Sequence, residues 1–188
     1  MTAGGGGGPV RLSDLVDPAP ALTALREIFF ESSSRTVFSS EEDRQAFYRR
    51  WTSFYRERCP DDVWFWQDAS GTFAGYLTGC RNSAEAQPLF AEVPGYAVFE
   101  SCFAEFPAHF HVNCRADRRG HGLGARLVET FVEDCRRTGL TGLHLVTAPD
   151  ARNIGFYQRL GFTIRLTRPF GTRSLLFMGR SLKAETRE

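Results

Sequence analysis

Two groupings of residues in this chain could do chemistry. The denser one is VNCRADRRGHGLGARL, residues 112–127, preceded by an apolar, strand-like AHFHVNC and followed at once by an amphipathic helix pattern. A helix start leaves about four backbone N–H groups without intrahelical partners and carries roughly half a positive charge. Gly120, Gly122 and Gly124 keep side chains away from those N–H groups, so an anion can lie against them. Arg115, Arg118 and Arg119 add charge at the same place, and the stretch reads as a pyrophosphate cradle. The second grouping is His109, His111 and Asn113, which project to one side of their strand. A histidine with a pKa near 6.5 can move a proton close to neutral pH. His-x-His could also open a metal site, but no third ligand follows at a suitable spacing, and no metal is expected.

The elements that must position these residues follow from period and punctuation. VRLSDL at 10–15 alternates like a strand. Asp17-Pro18 opens a helix over about 20–32, and Ser39 with Glu42 forms a capping-box spacing for a second helix over about 41–58. Phe47, Trp51, Phe54 and Tyr55 recur at helical spacing there, as core or as cleft lining. VWFWQD and TFAGYLTGC form a hairpin about Ala69-Ser70-Gly71. Residues 81–107 show no clean period, and a connection that long reads as a substrate-side excursion with a short helix. Then come a strand at 108–114, a helix at about 122–138 with Leu123, Leu127, Val128, Phe131 and Cys135 in one stripe, and a strand at 141–148. A short helix at 150–161, capped by Asp150 and closed by Gly161, leads to two strands about Phe170-Gly171-Thr172. The order is βααββ, a long connection, then βαβαββ.

Length and composition narrow the class. With 188 residues, 42% hydrophobic and 17 of them Phe, the chain can bury a real core. We expect one domain over 10–182, behind a flexible glycine-rich leader (1–9) and ahead of a polar tail (183–188). A net charge of +1 gives no chain-wide attraction to nucleic acid or membrane, so neither is expected as a partner. Five scattered cysteines without a CxxC pair argue against a disulfide framework and for a reducing, cytoplasmic location. No apolar run reaches transmembrane length.

GHGLGA at 120–125 also satisfies the dinucleotide fingerprint G-x-G-x-x-A, which would make the chain a nicotinamide-dependent oxidoreductase. The acidic residue expected about 20 positions beyond the glycines is missing, Asp150 coming some ten residues late. A Walker-type loop fails because no Gly-Lys-Ser/Thr is present.

Arg119-Gly120-His121-Gly122-Leu123-Gly124 resembles the R/Q-x-x-G-x-G/A signature of the GCN5-related N-acetyltransferases, the GNAT family. Asn153-Ile154-Gly155-Phe156-Tyr157-Gln158-Arg159-Leu160-Gly161-Phe162 resembles their second signature, and both stand at the family's spacing. PAHFHVN and GLHL are further similar to the acetyltransferase-like domain of bacterial O-GlcNAcase homologues, although Asn113 stands where that subgroup would carry an acidic residue. The resemblance implies an α/β (α+β), GNAT-like fold: a mixed sheet of about seven strands, splayed between strands 4 and 5 and flanked by about four helices. It implies acetyl-CoA as co-substrate, held by Arg119, Gly120, His121, Gly122, Leu123, Gly124 and Ala125, with Asn153 contacting it or capping its own helix. A backbone N–H of Val112 or Cys114, beside Asn113, would polarise the thioester carbonyl. Tyr157 takes the position of the family's general acid. Direct attack by an amine then needs a base, His111 first and His109 second, with Glu100 and Glu105 more remote. The acceptor, a small-molecule or a protein amine, cannot be read from the sequence, and a homodimer is compatible with it. The rival expectation is a catalytically inactive acetyltransferase-like module that binds CoA or a partner.

Overall fold

Asp17 and Ser40 set where the first two helices begin. The Asp17 carboxylate accepts from the Ala19 amide at 3.0 Å, and α1 runs Ala19–Ser32. Ser40 Oγ accepts from the Asp43 amide at 3.2 Å at the head of α2, Glu41–Arg58. This cap falls one residue later than the expected Ser39–Glu42 box, because Ser39 instead donates its amide and hydroxyl to the Asp43 carboxylate. Three acidic residues in the first turn and two arginines in the last complement the helix dipole.

The computed structural model describes residues 7–183, so the leader through residue 6 and the tail from 184 lie outside the described residues. Gly8 and Pro9, expected in the leader, already pair with Gln67 and Trp66 in β1, Gly8–Arg11. The strand ends at Arg11 rather than at 15, where Leu12–Asp14 tighten into a 3-10 turn. A hairpin of β2 (Val63–Gln67) and β3 (Phe73–Cys80) follows. Its turn is tied by Asp68, whose Oδ1 accepts from the Ser70 and Thr72 amides, with Gly71 at φ +86°. Then come α3 (Gln87–Glu92), β4 (Ala108–Cys114), α4 (Leu123–Arg137), β5 (Gly142–Thr147), α5 (Ile154–Arg159), β6 (Thr163–Phe170) and β7 (Arg173–Ser181).

The strands form one mixed seven-stranded sheet in the order β1-β2-β3-β4-β5-β7-β6. β4 and β5 pair in parallel through Ala108↔Leu143 and His109↔His144, while β1–β2, β2–β3, β5–β7 and β6–β7 are antiparallel. This is the expected α/β (α+β) arrangement, and it departs from the parallel sheet of a doubly wound dinucleotide fold. Five α-helices are described where about four were expected; the short α3 and α5 carry six residues each. α5 begins four residues later than expected: Asn153, not Asp150, precedes it.

The packing divides the chain into two compact units, each drawn from two segments. The first runs through Gly79 and takes up His111–Phe131 again; Leu25, Ile28, Tyr55, Phe65, Leu77, Leu127 and Phe131 are buried in it. The second takes Cys80–Phe110 and the chain from Val132 on, and buries Phe99, Phe106, Phe110, Leu143, Phe162 and Phe177. The connection 81–107, expected as a substrate-side excursion with a short helix, carries that helix as α3. Its aromatics Phe90, Tyr96, Phe99, Phe103 and Phe106 are core residues. They show no period because 3-10 turns and one short helix deliver them to the core.

Candidate active site

In the first unit, the second half of β4 runs into the glycine turn. His111, Val112, Asn113 and Cys114 are all half-buried. The His111 ring meets Trp51 and Tyr55 of α2 edge to face, with centroids 5.7 and 5.8 Å away. Burial pushes its pKa down to about 4, so the ring is neutral at any ordinary pH. Asn113 Nδ2 donates to the Tyr76 hydroxyl at 2.9 Å. Burial raises the Tyr76 pKa well above that of a free phenol, so Asn113 and Tyr76 form an uncharged pair. The Cys114 thiol is also pushed up by burial, with Arg119 opposing; nothing there favours a thiolate nucleophile.

Arg119 ties the turn to the strand. Its Nε donates to the Cys114 carbonyl at 3.2 Å and its Nη2 to Ser32 Oγ at 3.2 Å. The Ala116 amide donates to Glu31 Oε1 at 3.1 Å, so α1 holds the turn from the other side. Gly120 and Gly122 take φ +80° and +78°, a conformation that a side chain adopts only under strain. An added Cβ at either position would meet only open space. In α4 the Arg126 amide donates to the Gly122 carbonyl at 3.0 Å. The amides of Leu123, Gly124 and Ala125 precede that bond, at the positive end of a 15-residue helix. His121 is exposed, while Leu123, Gly124 and Ala125 are half-buried. Open glycines, uncommitted amides and a helix start fit the diphosphate of a CoA thioester. Arg115 and Arg118 contribute less free charge than the sequence suggests. Arg115 faces Asp117 at 3.4 Å and Glu27 at 3.9 Å, and Arg118 faces Asp68 at 3.7 Å and Asp117 at 4.0 Å.

The second unit holds the other candidates. His109 is fully buried. Its Nδ1 lies 2.7 Å from Ser83 Oγ, whose single proton goes to the Pro107 carbonyl at 2.7 Å. Nδ1 is therefore the donor, and His109 reads as a satisfied core histidine. Tyr157, on α5, is 7% exposed. Its ring packs against Phe156, Phe110 and Phe162 at 5.0, 6.2 and 6.2 Å. Burial pushes its phenol up to about 12, which keeps the proton in place to be donated. Asn153 is exposed and makes no side-chain cap; its carbonyl accepts from the Phe156 and Tyr157 amides. Glu100 and Glu105 are exposed on the connection.

Several neighbours of these residues carry no signal in the sequence. Tyr76 reaches Asn113 only through strand register, and Ser83 reaches His109 from 26 residues away. Trp51 and Tyr55 could be placed on one helix face, but not against His111. Among the described residues no cluster of three or more His, Cys, Asp or Glu could hold a metal ion. No described helix is long and apolar enough to cross a membrane, and no disulfide joins the five cysteines.

Comparison with known proteins agrees with the two signatures. Residues 22–162 match the Acetyltransferase (GNAT) family, and the chain belongs to that family. Among solved structures, SsHAT superposes with a TM-score of 0.70 at 20% identity, covering 94% of this chain and all of the other. The yncA protein of Salmonella typhimurium, solved with acetyl-CoA, gives 0.57 at 20% identity over 96% of each chain. The phosphinothricin acetyltransferase of Sinorhizobium meliloti, also solved with acetyl-CoA, gives 0.60 at 16% identity, covering 93% of this chain and 88% of that one.

Proposed function

We propose that this protein is an acetyl-CoA-dependent N-acetyltransferase, active as one domain over residues 10–182, that moves an acetyl group to a primary amine by direct attack in a ternary complex. The observation that carries this reading is the Arg119–Gly124 turn: two glycines with positive φ and open surroundings, at the head of α4. Acetyl-CoA, when bound, supplies an activated acetyl thioester.

The chain's own residues have four tasks. Amides of Gly120 to Ala125, with Arg119 bracing the turn, hold the diphosphate; His121 stands at the rim for further phosphate, and Asn153 contacts the cofactor with its exposed amide. A backbone N–H of Val112 or Cys114, beside Asn113, donates to the thioester carbonyl oxygen, where negative charge builds as the amine attacks. His111 passes on the proton that the amine loses as the C–N bond forms. Tyr157 gives its hydroxyl proton to the sulfur as the C–S bond breaks. With a pKa near 4, His111 would hold a proton from an ordinary aliphatic ammonium only at a cost of about 8 kcal/mol, so it relays the proton to water rather than storing it. His109 is the weaker candidate, since its ring is committed to Ser83.

The test is release of free CoA from acetyl-CoA by the purified chain with a panel of amines. Amine-dependent release supports transfer. Tight cofactor binding without turnover would favour the inactive CoA-binding module.

A further inference from the structure

In the first unit, Tyr76 and Asn113 face one way from β3 and β4, and Gly75 and Cys114 face the other. A Cβ built on Gly75 would come within 2.9 Å of Cys114 Sγ and 3.5 Å of Leu127 Cδ1, on α4. Gly75 and Cys114 therefore face α4, the helix that the glycine turn leads into. Side chains alternate along a strand, so Tyr76 and Asn113 point to the opposite face. His111, two residues before Asn113, shares that face and meets Trp51 and Tyr55 of α2 there. With the cofactor's diphosphate at the head of α4, the α2 face is left to the acceptor.

On that face Asn113 is held in one setting. The parallel register of β4 with β5 covers Ala108 and His109 and stops. Past that point Asn113 is tied to β3: the buried Tyr76 hydroxyl accepts from its Nδ2 at 2.9 Å. An amide offers donors on its nitrogen and an acceptor on its oxygen. With Nδ2 turned to the phenol, Oδ1 points away from it, an open acceptor among the described residues on a half-buried side chain.

We propose that Asn113 Oδ1 holds one N–H of the attacking amine, and that Tyr76 is the positioning residue that sets it there. This rests on the acetyltransferase reading above and adds to it the contact that selects the acceptor. The amine nitrogen attacks the thioester carbonyl carbon, so that the C–N bond forms and the C–S bond breaks. Of the two protons on a primary amine, one leaves by way of His111. The other stays on Oδ1 and becomes the N–H of the product amide. An N-methyl amine has a single N–H, which cannot both leave and stay. The pair therefore selects primary amines over secondary ones.

The experiment measures kcat/KM for matched amines with acetyl-CoA and the full chain. The probes are phenylethylamine, an alanyl dipeptide and an α-blocked lysine, each beside its N-methyl form. The readout is the ratio of primary to N-methyl amine, because a folding defect slows both alike. The parent should favour the primary amine by at least about tenfold, the worth of one hydrogen bond kept on a nitrogen that gains charge. Tyr76→Phe, which loses only the hydroxyl, and Asn113→Leu, which loses both amide atoms, should each cut that ratio about fivefold or more. Asn113→Asp keeps an accepting oxygen and should keep the ratio, and acetyl-CoA affinity should stay within about twofold in all three variants. An unchanged ratio in Asn113→Leu would overturn the proposal and leave acetyl transfer standing, and an unchanged ratio in Tyr76→Phe alone would remove Tyr76 from it. A ratio lost in Asn113→Asp as well would overturn it by showing that the amide donates rather than accepts. Acetyl-CoA affinity lost in Asn113→Leu at an unchanged ratio would place Asn113 on the cofactor instead. Absence of acetylation on every amine would overturn the underlying reading as well.

Discussion

His109 and His144 stand opposite each other in the parallel β4–β5 register, both fully buried, with ring centroids 5.6 Å apart. His144 is stacked between Phe103 and Phe177, at 5.2 and 4.6 Å. Its Nδ1 lies 2.7 Å from the Phe106 carbonyl, which can only accept, so Nδ1 carries the proton and Nε2 the lone pair. Nε2 has no partner among the described residues. Burial pushes the ring down to about 4, against the slight opposing effect of the Phe106 bond.

His144 makes the fold acid-sensitive. A histidine kept neutral in the fold but titrating near 6.5 when unfolded contributes stability that is complete above pH 6.5 and is lost as the pH falls towards 4. Between those limits the unfolded chain binds more protons. For His144 the loss amounts to about 3 kcal/mol. Urea midpoints at pH 7.5, 5.5 and 4.5 should fall steadily, and His144→Phe should flatten the fall. An unchanged slope in that variant would remove His144 as the cause.

Gly142 allows no side chain. A Cβ there would come within 2.7 Å of the Phe106 ring, 2.8 Å of the Glu105 carbonyl and 3.0 Å of the Arg180 carbonyl. Two of the three obstacles are backbone and cannot turn aside. Gly142→Ala should therefore cost about 1–3 kcal/mol in chemical denaturation. A variant as stable as the parent would show that the β5 backbone can shift to make room.

How much of this was legible in the sequence depended on range. β4 was placed to the residue, because its alternation is local and Pro107 and the glycine turn bound it. α4 was placed to within a residue by its apolar stripe. The start of α5 was missed by four residues: the capping residue type at Asp150 does not mark it, and Asn153, which precedes the helix, makes no side-chain cap. The 81–107 connection showed no clean period for a deeper reason: its rings serve a core built around His109 and His144, a contact set with no short-range signature. The glycine signature was read from residue types alone. That Asn113 is hydrogen-bonded to Tyr76 required strand register.

Tyr157 holds its proton to about pH 12. Tyr157→Phe should lower kcat by about a hundredfold while acetyl-CoA affinity stays within twofold or so. Single-turnover rates and titration of the cofactor check the two halves separately. Full activity in the variant would remove Tyr157 from the reaction.

The pH profile should report the amine and not His111. With His111 deprotonated above about pH 4, kcat/KM should rise about tenfold per pH unit until the acceptor's own pKa. No inflection should fall near 6.5. An acid limb centred there, abolished by His111→Gln, would show that His111 titrates normally and acts as a conventional base.

The central claim is that the Arg119–Gly124 turn grips a CoA diphosphate with main-chain amides. Titration calorimetry of acetyl-CoA into the parent chain and into Gly122→Val tests it most directly. The added side chain meets open space on an exposed turn, but φ +78° strains a β-branched residue, so a loss of about 1–3 kcal/mol in stability is expected and the titration is run well below the variant's own melting temperature. The account predicts saturable heat with the parent and binding at least about tenfold weaker in the variant, as strain and bulk displace the amides. No heat with the parent, or equal affinity in the two, would contradict it.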